Sequence, residues 1–312
     1  MTRLLSVDRL SVKYKNAPAP CVDALSLDVR EGQTLGLVGE SGCGKTTLAR
    51  AIAGLLPPGG AVEGGSISFG GRDLLEMDDR SRRAVQGCGI GMITQESLSS
   101  LNPVSRVGAA FVKLLGEKLG MCKANAISRA AGLLEKINCP ADVLGRYPFQ
   151  LSGGQRQRVM IAMAFALRPK LLIADEPTTA LDVVSQAHVL EEIAKLRDEH
   201  GTAVVLISHN LAVVSRVCGD IAVMYKGRLV EYGKTHTVLH HPSHSYTEGL
   251  LSAVPHLKAD RSRRLQSIPS PGEAASGGCC FAPCCGKHDS KCKSERPALQ
   301  PNEKGVLSAC WK

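Results

Sequence analysis

The chain has 312 residues, 44% of them hydrophobic and 21% charged, with a formal net charge of +9. This balance supports a buried core and excludes extensive disorder, and the length suits one large domain or two modest ones. No apolar run approaches the ~18–20 residues of a membrane span. Asp8 and Arg9 fall where a signal peptide needs its apolar stretch, so a protein neither secreted nor membrane-spanning is expected.

The positive charge is unevenly placed. Between Leu257 and Lys312, ten Lys/Arg stand against five Asp/Glu, so +5 of the +9 lies there. Aromatic residues are only 4% of the chain and nowhere interleave with basic ones, so no nucleic acid is expected as a partner. Of twelve cysteines, six (Cys279, Cys280, Cys284, Cys285, Cys292 and Cys310) fall in the last 34 residues, and in a cytosolic setting such a cluster points to metal rather than disulfides.

In chain order, Leu4–Val12 and Ala24–Val29 alternate apolar and polar residues as half-buried strands do. Thr34–Val38 is a short apolar run that stops at a glycine-rich turn, and Lys45–Leu56 has helical spacing. Ser66–Phe69 and Gly89–Thr94 read as strands. Val107–Leu119 and Ala126–Ile137 are helical, within a stretch without strand pattern from about 97 to 155. Then come helix Val159–Leu167, strand Leu171–Ala174, helix Val183–Glu199 and strand Ala203–Ile207. Ile221–Met224 and Arg228–Glu231 suggest a hairpin around Lys226-Gly227. The alternation predicts an α/β domain over 1–256 with a mostly parallel sheet and an inserted helical subdomain. Residues 257–312 read as a linker followed by a Cys-rich extension.

Gly39-Glu40-Ser41-Gly42-Cys43-Gly44-Lys45-Thr46-Thr47 is a glycine, four residues, then Gly-Lys-Thr, between an apolar strand and a helix. Its glycines let backbone amides turn around phosphate oxygens. Lys45 supplies charge to the β and γ phosphates, Thr46 a hydroxyl for Mg²⁺, and the helix its positive dipole end. Strand Leu171–Ala174 runs into Asp175 and Glu176, two carboxylates costly to bury without a cation. Asp175 suits the Mg²⁺ shell, and Glu176 suits a general base for an attacking water. Leu151-Ser152-Gly153-Gly154-Gln155 opens a further helix with a hydroxyl and free amides, a second anion site. Two such sites for one nucleotide suggest a dimer in which each chain closes the other's site. Cys43, where small residues dominate such loops, reads first as a serine-sized filler, with an unusually reactive thiol beside a helix start as the alternative.

These motifs, with Leu151–Gln155 as the signature, resemble the ATP-binding subunit of ABC transporters in the family's order over about residues 4–256. The resemblance implies a P-loop ATPase with an antiparallel β subdomain. It implies Tyr14 stacked on adenine, Gln95 near Mg²⁺ and the membrane subunits, Ala180-Leu181-Asp182 as a dimer-interface loop, and His209 at the γ phosphate. Ser99–Pro103, Val159–Phe165 and His244–Leu251 resemble the oligopeptide, dipeptide and nickel importer branch. A nickel site at His236, His240, His241 and His244 is not expected, because a packing motif accounts for part of that cluster. The tail resembles the same branch's extension, which implies Cys279, Cys285, Cys292 and Cys310 as a metal set. No Cys-x₂-Cys knuckle lies within the set, which favours a [4Fe–4S] cluster over zinc.

The resemblance further implies an ATPase at the cytoplasmic face of the inner membrane. Its partners would be a second ATPase subunit (a paralogue first, a self-copy second), two membrane permeases and a solute-binding protein. Peptides, nickel and other small solutes stay open as cargo. The alternatives are a soluble ABC ATPase acting on nucleic acid, or one serving iron–sulfur assembly.

Overall fold

The computed structural model describes residues 2–95, 101–178, 183–253 and 277–312. The interface loop Ala180–Asp182, part of the Ser99–Pro103 motif and the expected linker over 257–276 lie outside these residues. Among those described, β1 (Arg3–Tyr14), β2 (Val22–Arg30), β4 (Gly60–Phe69) and β5 (Arg72–Asp73) form an antiparallel sheet in the order β2-β1-β4-β5. The larger sheet contains β3 (Thr34–Val38), β6 (Ile90–Ile93), β7 (Leu171–Asp175), β8 (Ala203–Ser208), β9 (Asp220–Tyr225) and β10 (Arg228–Lys234). It is completed by β11 (Gln300–Pro301) and β12 (Leu307–Ser308), in the order β11-β12-β10-β9-β3-β8-β7-β6. The stretch from β9 to β6 is parallel, whereas β10, β12 and β11 join antiparallel.

The parallel strands are apolar on both faces because helices cover one and the antiparallel sheet the other. On one side Leu35 and Leu37 of β3 pack with Leu5, Leu10, Leu25 and Ile67 of the small sheet. Leu48 and Ile52 of α1 (Lys45–Ala53) fill the space between. On the other side Leu172, Leu206 and Val223 meet α3 (Val107–Leu119), α4 (Lys123–Lys136) and α5 (Gly153–Ala166) through Phe111, Leu134, Val159 and Phe165. The helix expected to reach Leu56 stops at Ala53 because Gly54 turns left-handed at φ 66° and its N–H caps the Arg50 and Ala51 carbonyls.

Several helices carry no strong periodic signal in sequence: α2 (Asp79–Val85), α7 (Leu211–Val217), α8 (Thr235–His240) and α9 (Ser245–Ser252). The remaining helices are α6 (Val183–His200) and, in the extension, α10 (Ser290–Ser294). The described part of the extension does not stand apart. β12 pairs with β10, Glu231 opposite Ser308, while Phe281 and Val306 join the helix-side core.

Phe165 is fully buried between the helices and the sheet. Phe165→Ala should lower stability by about 3–5 kcal/mol through lost burial and the cavity left behind. Urea unfolding of the purified chain measures it, and an unchanged midpoint would contradict this packing.

Candidate active site

The register of the parallel strands decides where the chemistry sits. Val38 pairs with Ser208, Ile207 with Asp175, and Ala174 with Ile93, so β3, β8, β7 and β6 end level at one edge. Ligands of open α/β sheets bind at this carboxyl edge. From it emerge, in order across the sheet, the Gly39–Thr47 loop, His209, the Asp175-Glu176 pair and Gln95.

Glycine is required twice in the loop. Gly39 has φ 156°, and a Cβ there would lie 2.1 Å from the Met224 carbonyl oxygen. Gly44 has φ 105°, and its Cβ would come within 2.2 Å of the Cys21 carbonyl oxygen. The loop therefore runs tight against neighbouring backbone and leads into α1 at Lys45. Lys45, only 5% exposed, folds into the loop and donates from Nζ to the carbonyl oxygens of Gly39 and Glu40, each at 2.8 Å. Tyr14, at the end of β1, places its hydroxyl 3.4 Å from the Thr47 hydroxyl and its ring against Gly60.

Cys43 goes against the alternative of a reactive thiol and with the reading as a filler. It is buried, and burial pushes its pKa up, an effect that the Lys45 ammonium 3.6 Å from Sγ only partly offsets. The thiolate, which is the nucleophilic form, is thus suppressed.

Glu176 follows β7 in the left-handed region at φ 47°, a strained conformation for a non-glycine residue. The sheet's hydrogen bonding holds it there, since its N–H donates to the Ile207 carbonyl at 3.0 Å. Its carboxylate is clamped from both sides. His209 Nδ1 lies 3.0 Å from Oε1, and Gln95 Nε2 donates to Oε2 at 3.2 Å. The structure thus brings together Gln95, Glu176 and His209, from three different strand ends. A carboxylate held in this way can accept a proton from water in a fixed orientation.

Asp175 is 1% exposed, and neither of its oxygens has a partner in hydrogen-bonding geometry. Burial raises its pKa, and the nearby Thr46 hydroxyl lowers it by less. An orphaned buried carboxylate beside the Thr46 hydroxyl offers oxygen ligands of the kind a hard divalent cation takes.

Ser152 caps α5. Its hydroxyl accepts from the Gln155 N–H at 3.2 Å, and the Gln155 side chain accepts from the Ser152 N–H at 3.1 Å. Leu151 anchors the turn in the core, while Ser152 stays exposed with Gly153 and Gly154 half-buried behind it. Sequence reasoning overlooked Gln157, one turn further on. It is buried and donates to the Pro177 carbonyl, tying the signature helix to the loop that follows Glu176. A polar residue in step with buried Ile161 and Phe165 is the signal that marks it.

The comparisons with known proteins identify the family. Residues 22–179 match the family described as ABC transporter, and residues 230–292 match the oligopeptide/dipeptide transporter C-terminal region. The chain is 43% identical to the dipeptide transport ATP-binding protein DppD of Escherichia coli, over 98% of this chain and 96% of that protein. It is 41% identical to the oligopeptide transport ATP-binding protein OppD of Salmonella typhimurium, over 99% of this chain and 93% of that protein. The chain belongs to the ABC transporter family of ATP-binding proteins. Among solved structures, the ATP-binding cassette MJ0796, described as a dimer in a post-hydrolysis state bound to ADP and Pi, superposes with a TM-score of 0.67 at 25% identity. That match covers 74% of this chain and 99% of that one.

This ABC subunit is an ATPase, and ATP with Mg²⁺ is what the family's sites take. Among the described residues, no helix is long and apolar enough to cross a membrane. In the extension, Cys279, Cys285, Cys292 and Cys310 line one small cavity with His244 and Trp311. Cys279 is held low by the Cys280 thiol, while Cys280 is driven up by the same contact and by burial. Yet no three His, Cys, Asp or Glu side chains among the described residues converge as ligands of one metal ion. The thiol chemistry suits a thiolate-held group, but the arrangement is not a formed ligand set. His236 and His240 stack at 4.2 Å on α8, and His244 is a buried cap whose Nδ1 accepts from the Tyr246 N–H.

Asp175 yields a prediction about stability. Because folding raises its pKa, its stabilising contribution is greatest below the ordinary 3.8 and is lost as pH rises through the folded value. Above that folded value the ionised carboxylate opposes folding. Asp175→Asn should stabilise the nucleotide-free chain by about 0.5–2 kcal/mol while impairing Mg²⁺-dependent hydrolysis. Thermal melts and an ATPase assay read the two effects, and a less stable Asn variant would contradict the assignment.

Proposed function

We propose that this chain is the ATP-hydrolysing subunit that energises import of di- or oligopeptides through a membrane transporter. The observation that carries the reading is a complete phosphate-loop edge in a chain whose residues 230–292 match the oligopeptide/dipeptide transporter C-terminal region. The names of the relatives concern di- and oligopeptide transport, which favours peptides over nickel and disfavours the nucleic-acid and iron–sulfur-assembly alternatives.

In this reading residues 1–256 are the ATP-binding domain, with a helical subdomain over about 97–155, and 257–312 are the Cys-rich extension. The Gly39–Thr47 backbone cradles the phosphates, Lys45 neutralises the β and γ groups, and Tyr14 stacks on adenine. ATP binds with Mg²⁺, whose charge offsets that of the phosphates; Thr46, Asp175 and Gln95 would hold it. Glu176 orients and deprotonates the attacking water, and His209, already 3.0 Å from Glu176, contacts the γ phosphate. Ser152, Gly153 and Gly154 of a second subunit complete the site, with Ala180, Leu181 and Asp182 crossing the interface. That subunit is a paralogue or another copy of this chain. Two permeases driven through the Gln95 loop, and a solute-binding protein, supply the path and the selectivity. The subunit works at the cytoplasmic face of the inner membrane.

Glu176→Gln should keep ATP binding and lower hydrolysis by about 10²–10⁴-fold. In a deletion strain the wild-type gene should restore peptide uptake and the Gln variant should not. Wild-type hydrolysis by the variant would remove the assigned role of Glu176. Unimpaired peptide uptake in the deletion strain would remove the cargo.

We further read Cys279, Cys285, Cys292 and Cys310 as holders of a [4Fe–4S] cluster, with zinc the weaker alternative. Four thiols facing one cavity support this, and the lack of a converged ligand set counts against it. Anaerobically purified chain should carry about four iron and four sulfide per molecule and absorb in the visible. Zinc alone, or no metal, would overturn the cluster.

A further inference from the structure

The peptide unit between Gly39 and Glu40 is gripped at both edges. Its carbonyl oxygen, on Gly39, accepts from Lys45 Nζ at 2.8 Å. Its N–H, on Glu40, donates to the Tyr246 hydroxyl at 2.9 Å. In a trans peptide these two groups point in opposite directions, so Lys45 holds the unit from within the loop and Tyr246 holds it from the other side. Tyr246 is itself immobilised. It is fully buried, its ring lies 4.5 Å from that of Tyr225 and 5.5 Å from that of Phe281, and its N–H donates to His244 Nδ1 at 3.1 Å. His244 is anchored in turn, its N–H donating to Glu231 of β10. A residue more than two hundred positions downstream thus fixes the first turn of the phosphate loop.

We propose that Tyr246 is a positioning residue for ATP binding. Its hydroxyl fixes the Gly39–Glu40 peptide plane, and the plane fixes where the Lys45 ammonium rests and from where it reaches the β and γ phosphates. Without the hydroxyl, the Glu40 N–H loses its partner and the plane is free to turn. Phe281, from the Cys-rich extension, packs against the ring, so the extension supports the loop by way of Tyr246. The inference rests on the reading of the loop as the ATP site.

The test compares ATP with AMP, which has no β or γ phosphate for Lys45 to reach. Binding to the full-length chain is measured by competition against a fluorescent ATP analogue. Tyr246→Phe keeps the ring and removes the hydroxyl, and it should weaken ATP binding by about tenfold while leaving AMP binding unchanged. Phe281→Leu, which keeps the hydroxyl but loosens the ring, should shift ATP binding in the same direction by less. It decides the question alone if Tyr246→Phe fails to fold. Unchanged ATP affinity in the folded variants, or equal losses for ATP and AMP, would overturn the proposal. Wild-type chain that binds no ATP would remove the parent reading and this one with it, whereas wild-type binding beside an unaffected variant removes only this one.

Discussion

The parallel register of four strands is the constraint on which the rest depends. Because β3, β8, β7 and β6 end level, a lysine loop, a histidine, two carboxylates and a glutamine from distant parts of the sequence share one edge. Each is set at the end of a buried strand, so its backbone is held by the sheet and not by a loop's own weak preferences. Glu176 shows the force of that arrangement. Its left-handed backbone persists because the strand's hydrogen bonding continues one residue further, to Ile207.

The site combines strain and desolvation. Asp175 is buried with neither oxygen in hydrogen-bonding geometry, and burial raises its pKa. Burying an ionised carboxylate in this way costs the fold stability unless a cation stands beside it. The signature turn is built in the opposite way. Ser152 and Gln155 satisfy each other's backbone, so the helix start is finished before any nucleotide reaches it. The carboxylate edge is thus strained and the turn at Ser152 relaxed.

Much of this was legible in the sequence, for local reasons. The strand Thr34–Val38 and the helix Val107–Leu119 have the boundaries that their apolar spacing predicts. The phosphate loop was readable because glycine is demanded at fixed positions by steric clash, which composition records directly. What was not legible depends on distant partners. For Cys43 the sequence left a filler and a reactive thiol both open, and only the packing around it shows that burial outweighs Lys45. β11 and β12 are two residues each, one of them proline, and become strands only because β10 offers an edge. Tyr246 reads as a conventional packing aromatic. Its bond to Glu40 could not be inferred from any window of sequence, since the two lie far apart in the chain.

The covering of β10 by β12 has a consequence for biosynthesis. Glu231 emerges from the ribosome long before Ser308, the residue that pairs with it. Until then the nascent sheet presents a bare row of backbone donors and acceptors, open to pairing with a neighbouring chain on the same message. The interval between the two strands is therefore a window of vulnerability during translation, which narrows once β12 covers Glu231 and Tyr232.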